Sequence, residues 1–244
     1  MRTIRIADVT MRENAALTFK EKLEMAKQLE KLNVDVIETA PLGDEKADAL
    51  ALRTMATIVK SGVLSCSVGL CKEEIEKTFD AVREAKHPRL SVTAPVSSVQ
   101  MEYLCHKKPQ PMLEAIKEAV AFAKSLCADV EFSAKDAPRA EPEFLATAVK
   151  TALEAGASVV TLCDTAGESL PEEIAAIVKA VLTAVPECEG KLGVECSDAL
   201  HTAQAATFSA ILAGASEAKT VVSGEGLPRL LELTDTLRIK SDAL

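Results

Sequence analysis

Residues that could do chemistry first appear at the end of a β-prone run near the amino terminus. The run covers residues 4–9 and is followed by Arg12, Glu13 and Asn14. A guanidinium beside a carboxylate can bind an anionic oxygen and a divalent cation at the same time. The alternative is an exposed Arg–Glu pair in a loop, which contributes almost nothing to stability. The choice depends on whether other strands end at the same place.

The chain alternates predicted strands with predicted helices along its length. Such alternation requires parallel strands joined by helical crossovers. A first helix is expected from Thr18, which forms a capping box with Glu21. The predicted strands cover residues 3–8, 34–38, 63–68, 90–94, 129–133, 158–163, 192–196 and 219–223. The other predicted helices cover residues 45–60, 72–86, 111–126, 142–155, 169 onward, 199–213 and 228–239.

Eight strand–helix units of roughly 30 residues each predict an α/β fold, a single (β/α)8 TIM barrel. A doubly wound open sheet is the competing fold. It is disfavoured because no Gly-x-Gly-x-x-Gly or P-loop motif follows the first strand. No linker or low-complexity segment interrupts the 244 residues. We therefore expect one TIM-barrel domain, 1–244, with no C-terminal regulatory domain.

Polar side chains collect at the carboxyl ends of the predicted strands, where barrels of this type carry their sites. The set is rich in carboxylates and contains few cations. Its members are Asp8, Arg12, Glu13, Glu38, Thr93, Glu131, Ser133, Lys135, Asp136, Asp164, Thr165, Glu195, Ser197, Asp198, Ser223 and Glu225. The sequence therefore predicts one acidic mouth with Arg12 in it.

Composition argues against several classes of function. A formal net charge of −9 and an aromatic content of 3% argue against nucleic-acid binding, which requires a basic face and stacking platforms. No apolar run has the length of a membrane span, and the residues after Arg2 do not resemble a signal peptide. Seven scattered cysteines, none in a Cys-x-x-Cys pair, predict free thiols in a reducing cytoplasm.

The motifs at these strand ends resemble those of the DRE-TIM metallolyase superfamily, which includes isopropylmalate synthase, homocitrate synthase and HMG-CoA lyase. Residues 6–13, IADVTMRE, are similar to the opening motif of that superfamily. Residues 130–139, VEFSAKDAPR, are similar to its fifth-strand motif. Residues 36–38 and 162–167 are similar to its second and sixth strand ends. The likeness covers nearly the whole chain in the right order.

This resemblance implies a Claisen-type condensation of an acyl-CoA with a small 2-oxo acid, or the reverse cleavage, assisted by a divalent metal. The chain would then be an acyltransferase or a carbon–carbon lyase of amino-acid biosynthesis in the cytoplasm, and relatives commonly form homodimers. Arg12 would stabilise the enolate oxygen of the transition state. Residues expected in catalysis are Arg12, Glu131 and Thr165, and those expected to bind substrate are Ser133, Lys135 and Arg139.

The chain departs from the family where a metal would bind. The family has His-x-His at the end of strand seven, whereas this chain has Glu195 and Ser197. Glu13 stands in place of a metal-ligating Asp. Glu13 and Glu195 could form an oxygen-rich site for Mg²⁺ or Mn²⁺. The alternative is a rim carboxylate, Glu195, hydrogen-bonded to Lys135 or Arg12.

Two other functions stay open. The barrel could have lost catalysis and serve as a binding or partner subunit. It could also be a lysine-dependent aldolase in which Lys135 forms a Schiff base, which requires a neutral amine. The alternative for Lys135 is pairing with Glu131, Asp136 or Glu195, which would hold it protonated. His201 is either a general base at the mouth or a solvated residue at a helix start.

Overall fold

Eight parallel strands close into a barrel in the computed structural model of the chain, which describes residues 3–14, 16–43, 46–224 and 226–243. Each strand pairs with the next, and the first pairs with the last. This confirms the predicted single (β/α)8 TIM barrel. The strands are β1 (Arg5–Asp8), β2 (Val36–Thr39), β3 (Val63–Val68), β4 (Pro88–Pro95), β5 (Asp129–Lys135), β6 (Val159–Asp164), β7 (Leu192–Cys196) and β8 (Glu217–Thr220).

Helices surround the strands. The capping box expected at Thr18 is present, with the Thr18 amide donating to Glu21 Oε2 at 2.8 Å. The helices are α1 (Thr10–Glu13), α2 (Phe19–Lys31), α3 (Lys46–Ile58), α4 (Lys72–Val82), α5 (Ser98–Cys105), α6 (Pro109–Leu126), α7 (Pro142–Glu154), α8 (Pro171–Ala184), α9 (Ala203–Ala213) and α10 (Leu230–Ile239). Within the described ranges, no helix has both the length and the apolar composition needed to cross a bilayer.

Two helices occur where the sequence interpretation had loops. One is α5, which begins after Ser97 because that hydroxyl accepts a hydrogen bond from the Gln100 amide at 3.2 Å. It ends at His106, whose φ of 50° is left-handed. The other is α1, which follows β1 directly. The predicted helix start at Glu45 and the predicted mouth residue Glu225 lie outside the described residues.

The apolar core lies between the strands and the helices. Outward-facing strand residues such as Leu64, Leu90, Phe132 and Val160 are completely buried there. Their alternation with inward-facing polar residues follows from the period of two in a strand. Burial of these apolar side chains against the helices therefore stabilises the closed barrel, and the inside of the barrel is packed with other residue types.

Charged and small polar side chains fill the inside of the barrel, where branched aliphatic residues are usual. The fully buried Lys219 ammonium pairs with Glu38 and lies 2.7 Å from Glu131 Oε1. The Arg89 guanidinium, also fully buried, lies 2.9 Å from Glu217 Oε1 and 3.7 Å from Glu131 Oε2. Burial opposes ionisation of Glu38 and Glu131, but the nearby cations together outweigh it and lower the pKa of both carboxyls. These cations are Lys219 and Arg12 for Glu38, and Lys219 and Arg89 for Glu131.

We expect Lys219→Met to lower the free energy of unfolding by about 3–5 kcal/mol, because it removes the cation that two buried carboxylates share. Adding Glu131→Gln should recover part of that loss, since the two positions are in contact. Urea unfolding at pH 7 measures both effects. Lys150→Met, on the exposed side of α7, is the control and should stay within about 0.5 kcal/mol of the parent. Equal losses for the two single Lys variants would contradict the interpretation.

Candidate active site

A buried carboxylate fixes the start of the short helix that carries Arg12. Asp8 accepts hydrogen bonds from the Thr10 amide and the Thr10 hydroxyl, both at 3.0 Å. The Thr10 hydroxyl oxygen in turn accepts from the Val222 amide at 2.8 Å. Helix α1 is thereby tied to β1 and to the segment after β8. The chain turns immediately after the strand, and this turn brings the Arg12 side chain over the barrel mouth.

The Arg12 guanidinium joins three carboxylates. It lies 2.8 Å from Glu13 Oε1, 2.8 Å from Glu38 Oε1 and 2.8 Å from Glu195 Oε2. Only 10% of the Arg12 side chain is exposed. Burial opposes its charge, but Glu38 and Glu195 outweigh burial and raise the pKa of Arg12 above its ordinary value. Arg12 is therefore a permanent cation held in one place.

Lys135 and Glu195 form a second contact at this mouth. The Lys135 ammonium lies 3.0 Å from Glu195 Oε1. Burial would raise the pKa of Glu195, but Arg12 and Lys135 lower it to about 2. Burial would lower the pKa of Lys135, but Cys163 and Glu195 raise it above its ordinary value. Burial raises the pKa of the Cys163 thiol to about 12, so the thiol is neutral at pH 7 and Glu195 is the charge that keeps Lys135 protonated.

These contacts confirm the alternative interpretations of Glu195 and Lys135 as ion-pair partners. His201 is a solvated residue and not a side chain enclosed in the mouth, because its side chain is 92% exposed and lies 3.9 Å from Asp198. All seven cysteines are free, as expected.

Glu131 and Ser133 lie below the mouth and are completely buried. The Ser133 hydroxyl lies 3.1 Å from the Ser91 hydroxyl and 3.2 Å from Glu131 Oε1. Glu131 also accepts a hydrogen bond from the Thr161 hydroxyl at 2.6 Å. The structure thus places these two predicted site residues in the floor of the site, under the Arg12 layer.

Thr165 and Arg139 are grouped around Asp136, at the ends of β5 and β6. Thr165 is exposed, and its hydroxyl oxygen accepts from the Asp136 amide at 3.0 Å. Arg139 Nε donates to Asp136 Oδ1 at 2.7 Å, and 49% of the Arg139 side chain is exposed. Asp136, with a left-handed φ of 62°, also accepts from the buried Ser97 hydroxyl. Both predicted residues therefore lie on the rim, where a ligand can reach them.

The expected metal site at Glu13 and Glu195 does not fit the arrangement. Each carboxylate already contacts Arg12, and the second oxygen of Glu195 contacts Lys135. A divalent cation at this point would lie beside two positive charges. Over the part of the chain that the structure describes, no three His, Cys, Asp or Glu side chains are placed to hold a metal ion.

Sequence reasoning missed three charged residues of the floor, Arg89, Glu217 and Lys219, although a signal was present. Glu217 and Lys219 carry opposite charges and stand two apart in one strand. Residues at i and i+2 share one face, and strands of a parallel barrel are buried on both faces. Opposite charges at such positions predict ion pairs inside the barrel.

Together, the closed parallel barrel and the group of ion pairs at its carboxyl end define the class, a (β/α)8 barrel with a charged mouth. The sequence profile of the HMGL-like family matches residues 3–230. The chain therefore belongs to the HMGL-like family, as the motifs led us to expect.

Relatives of known name support this assignment. The chain is 35% identical to 2-isopropylmalate synthase of Aquifex aeolicus over 97% of its own length and 48% of that protein. It is 33% identical to methylthioalkylmalate synthase 1-1 of Eutrema japonicum over 91% of its length and 47% of that protein. The chain spans about half the length of these curated relatives.

Solved structures share the fold at low sequence identity. Hydroxymethylglutaryl-CoA lyase of Pseudomonas aeruginosa matches with a TM-score of 0.79 at 16% identity, over 99% of this chain and 86% of the lyase. An HMG-CoA lyase of Acinetobacter baumannii, solved with coenzyme A and 3-methylmalate, matches with a TM-score of 0.79 at 15% identity, over 98% of this chain and 84% of the lyase.

We expect Asp8 to make stability depend on pH. Burial raises the pKa of this carboxyl from 3.8 to about 6. A raised pKa means that the folded chain binds the proton more tightly than the unfolded chain does. The stabilisation is therefore complete below about pH 4 and is lost as the pH rises through about 6. Over that window, Asp8→Asn should gain up to about 3 kcal/mol relative to the parent.

Urea unfolding of the parent and of Asp8→Asn at a series of pH values between 4 and 7.5 tests this. Asp48→Asn, on α3, is the matched control, because Asp48 is partly exposed in its pair with Lys22. A parent-to-variant difference that stays constant across the series would show that Asp8 is not the group responsible.

Proposed function

We propose that this barrel makes or breaks a carbon–carbon bond next to the carbonyl of a small 2-oxo acid, with an acyl-CoA as the second reactant or product. The observation that carries the proposal is the Arg12 guanidinium, held at the end of β1 with 10% of its side chain exposed. Similarity to 2-isopropylmalate synthase along 97% of the chain supports the substrate class.

Arg12 is suited to stabilise a developing oxyanion. In the condensing direction, the α-carbon of the acyl thioester loses a proton to a base and forms a bond to the carbonyl carbon of the oxo acid. The alkoxide that results takes up a proton, and water then hydrolyses the thioester to a carboxylate and free CoA. Negative charge develops first on the thioester oxygen and then on the former carbonyl oxygen. A fixed guanidinium stabilises such charge without reorganising. Glu13 is 46% exposed, so it is the carboxylate that a ligand oxygen can displace from Arg12.

The other predicted residues divide between the rim and the floor. Lys135, with 24% of its side chain exposed, can bind the carboxylate of the oxo acid. Thr165 and Arg139 on the rim can contact the part of the substrate nearer to solvent. Glu131 is a positioning residue, because it pairs with Lys219, which in turn pairs with the Arg12 partner Glu38. Ser133 supports it by donating its hydroxyl to Glu131 at 3.2 Å.

A second function is a barrel that binds such anions without turning them over. Its support is that Arg12 and Lys135, the cations of the mouth, are both already engaged with carboxylates. Binding without turnover and catalysis differ in one measurable respect, the formation of product, which is free CoA in the condensing direction and acyl-CoA in the cleaving direction.

We expect Arg12→Lys to lower kcat/KM by at least about 100-fold, the usual cost of losing an oxyanion donor. Lysine keeps the positive charge that Glu38 and Glu195 require but loses the planar fork of the guanidinium. The assay is CoA release from acetyl-CoA with a series of 2-oxo acids. Chromatography should detect the CoA, because the exposed Cys71 would react with a thiol reagent.

Arg53→Lys makes the same exchange at an exposed position of α3 and should leave the rate unchanged. The activity would be refuted if the parent released no CoA with any oxo acid in the condensing direction and formed no acyl-CoA from the corresponding hydroxyacyl-CoA thioesters in the cleaving direction. Tight binding of an oxo acid under those conditions would then favour the binding function.

The Lys135 ion pair argues against the aldolase hypothesis, and we expect no Schiff base at this residue near pH 7. The raised pKa leaves almost none of the amine neutral at that pH. Borohydride reduction in the presence of pyruvate, followed by peptide mass mapping, tests this. A lysine-dependent aldolase treated in parallel should give the adduct. A reduced pyruvate adduct on Lys135 would reinstate the aldolase mechanism.

A further inference from the structure

At the mouth of the barrel, cationic side chains of the protein lie beside Glu195, where the family resemblance would lead one to expect a metal ion. Glu195 contacts both Arg12 and Lys135, and 6% of its side chain is exposed. Each of its oxygens has a different cation, since Oε2 lies 2.8 Å from Arg12 and Oε1 lies 3.0 Å from Lys135. Oε1 accepts a hydrogen bond from Lys135, whereas Oε2 is ion-paired with Arg12 without hydrogen-bond geometry. A metal ion at either oxygen would therefore lie beside a positive charge unless that cation leaves.

Strand pairing fixes Lys135 in this place. Its Cα is the register partner of Cys163 on β6, and Cys163 is the register partner of Glu195 on β7. The three residues therefore stand at one level on three adjacent strands. Lys135 is the last residue of β5, so its backbone is held by the ladder and does not belong to a mobile loop. The ammonium and the carboxylate meet as a consequence of the fold.

The surroundings also disfavour the exchange of the ammonium for a metal ion. A divalent cation prefers oxygen ligands from several carboxylates. Glu38 faces Arg12 and Lys219, while Glu13 faces Arg12, so the nearby carboxylates are engaged too. A metal ion bound here would have to displace ion pairs on more than one residue at once.

We propose that the Lys135 ammonium is the resident cation of this mouth and that the site operates without a divalent metal, although the family resemblance implies one. Operation without a metal rests on the proposed function, whereas the presence of the Lys135 ammonium as the resident cation does not. The ligand class that such a site takes is a carboxylate or an enolate, paired directly with the ammonium and the guanidinium.

Titration of the full chain with Mn²⁺, followed by the loss of the free-ion EPR signal, tests the occupancy. We expect the parent to show no Glu195-dependent site tighter than about 1 mM, the weak end of protein sites. Lys135→Met should create a site at least about tenfold tighter, because it frees Oε1 of Glu195. Adding Glu195→Gln to that variant should abolish the new site, and Lys150→Met, the control on α7, should behave as the parent.

Two results would overturn the proposal. One is a Mn²⁺ site in the parent that Glu195→Gln removes. The other is a folded Lys135→Met or Lys135→Gln protein, checked by circular dichroism, that binds Mn²⁺ no better than the parent. If the parent releases CoA, the rate should persist in EDTA, and a requirement for metal would also overturn the proposal. If the parent forms no product in either direction, the proposed function fails, while the Mn²⁺ titration still decides the occupancy of the mouth.

Discussion

Charges inside this barrel must be paired, because water does not reach most of them and an isolated buried charge is expensive. Glu38 shows how far that constraint extends. One of its oxygens accepts from Arg12 at 2.8 Å and from the Ser67 hydroxyl at 2.9 Å, and the other pairs with Lys219. Glu38 therefore connects the floor of the barrel to its mouth. The position of Arg12 depends on residues that no ligand touches.

This connection has a consequence for how the site can change. Removing one member of a buried pair leaves its partner uncompensated, whereas replacing both can be nearly neutral. The cations Arg12, Lys135 and Lys219 are linked through Glu38 and Glu195, so the charges at the mouth form a set. A change at one position favours a matching change at another. Electrostatic pairing, more than packing, limits which residues can occupy the mouth.

The architecture could be predicted from sequence because it depends on local patterns. Strands β3 and β7 have the predicted bounds, and the other strands differ at their ends. The difference that matters most for the site is in strand β8. The sequence predicts this strand at 219–223, and the structure has it at Glu217–Thr220. The β-prone Val221 instead donates its amide to Pro228, outside the ladder. The earlier start brings Glu217 into the strand with Lys219, and both side chains face the buried interior.

Predictions about the site succeeded only in part, because strand-end position does not reveal depth. Arg12 and Lys135 reach the mouth as expected. Glu131 and Ser133 come from the same strand as Lys135, yet they are buried beneath it. The twist and tilt of strands in a barrel set that depth, and neither can be read from one segment. The sequence also does not determine which charges pair. Glu195 had Arg12 and Lys135 as candidate partners, and it contacts both.

Fold and chemistry are carried by different faces of the same strands. Outward-facing residues such as Leu90 and Phe132 pack against the helices, and they can stay apolar through extensive divergence. This explains a TM-score of 0.79 at 16% identity to a lyase. Inward-facing residues must balance their charges, so the mouth can exchange one set of charged residues for another, provided that the set stays paired, while the barrel is unchanged. Membership of the family therefore fixes the architecture, and the ion pairs of Glu195 decide what the mouth can bind.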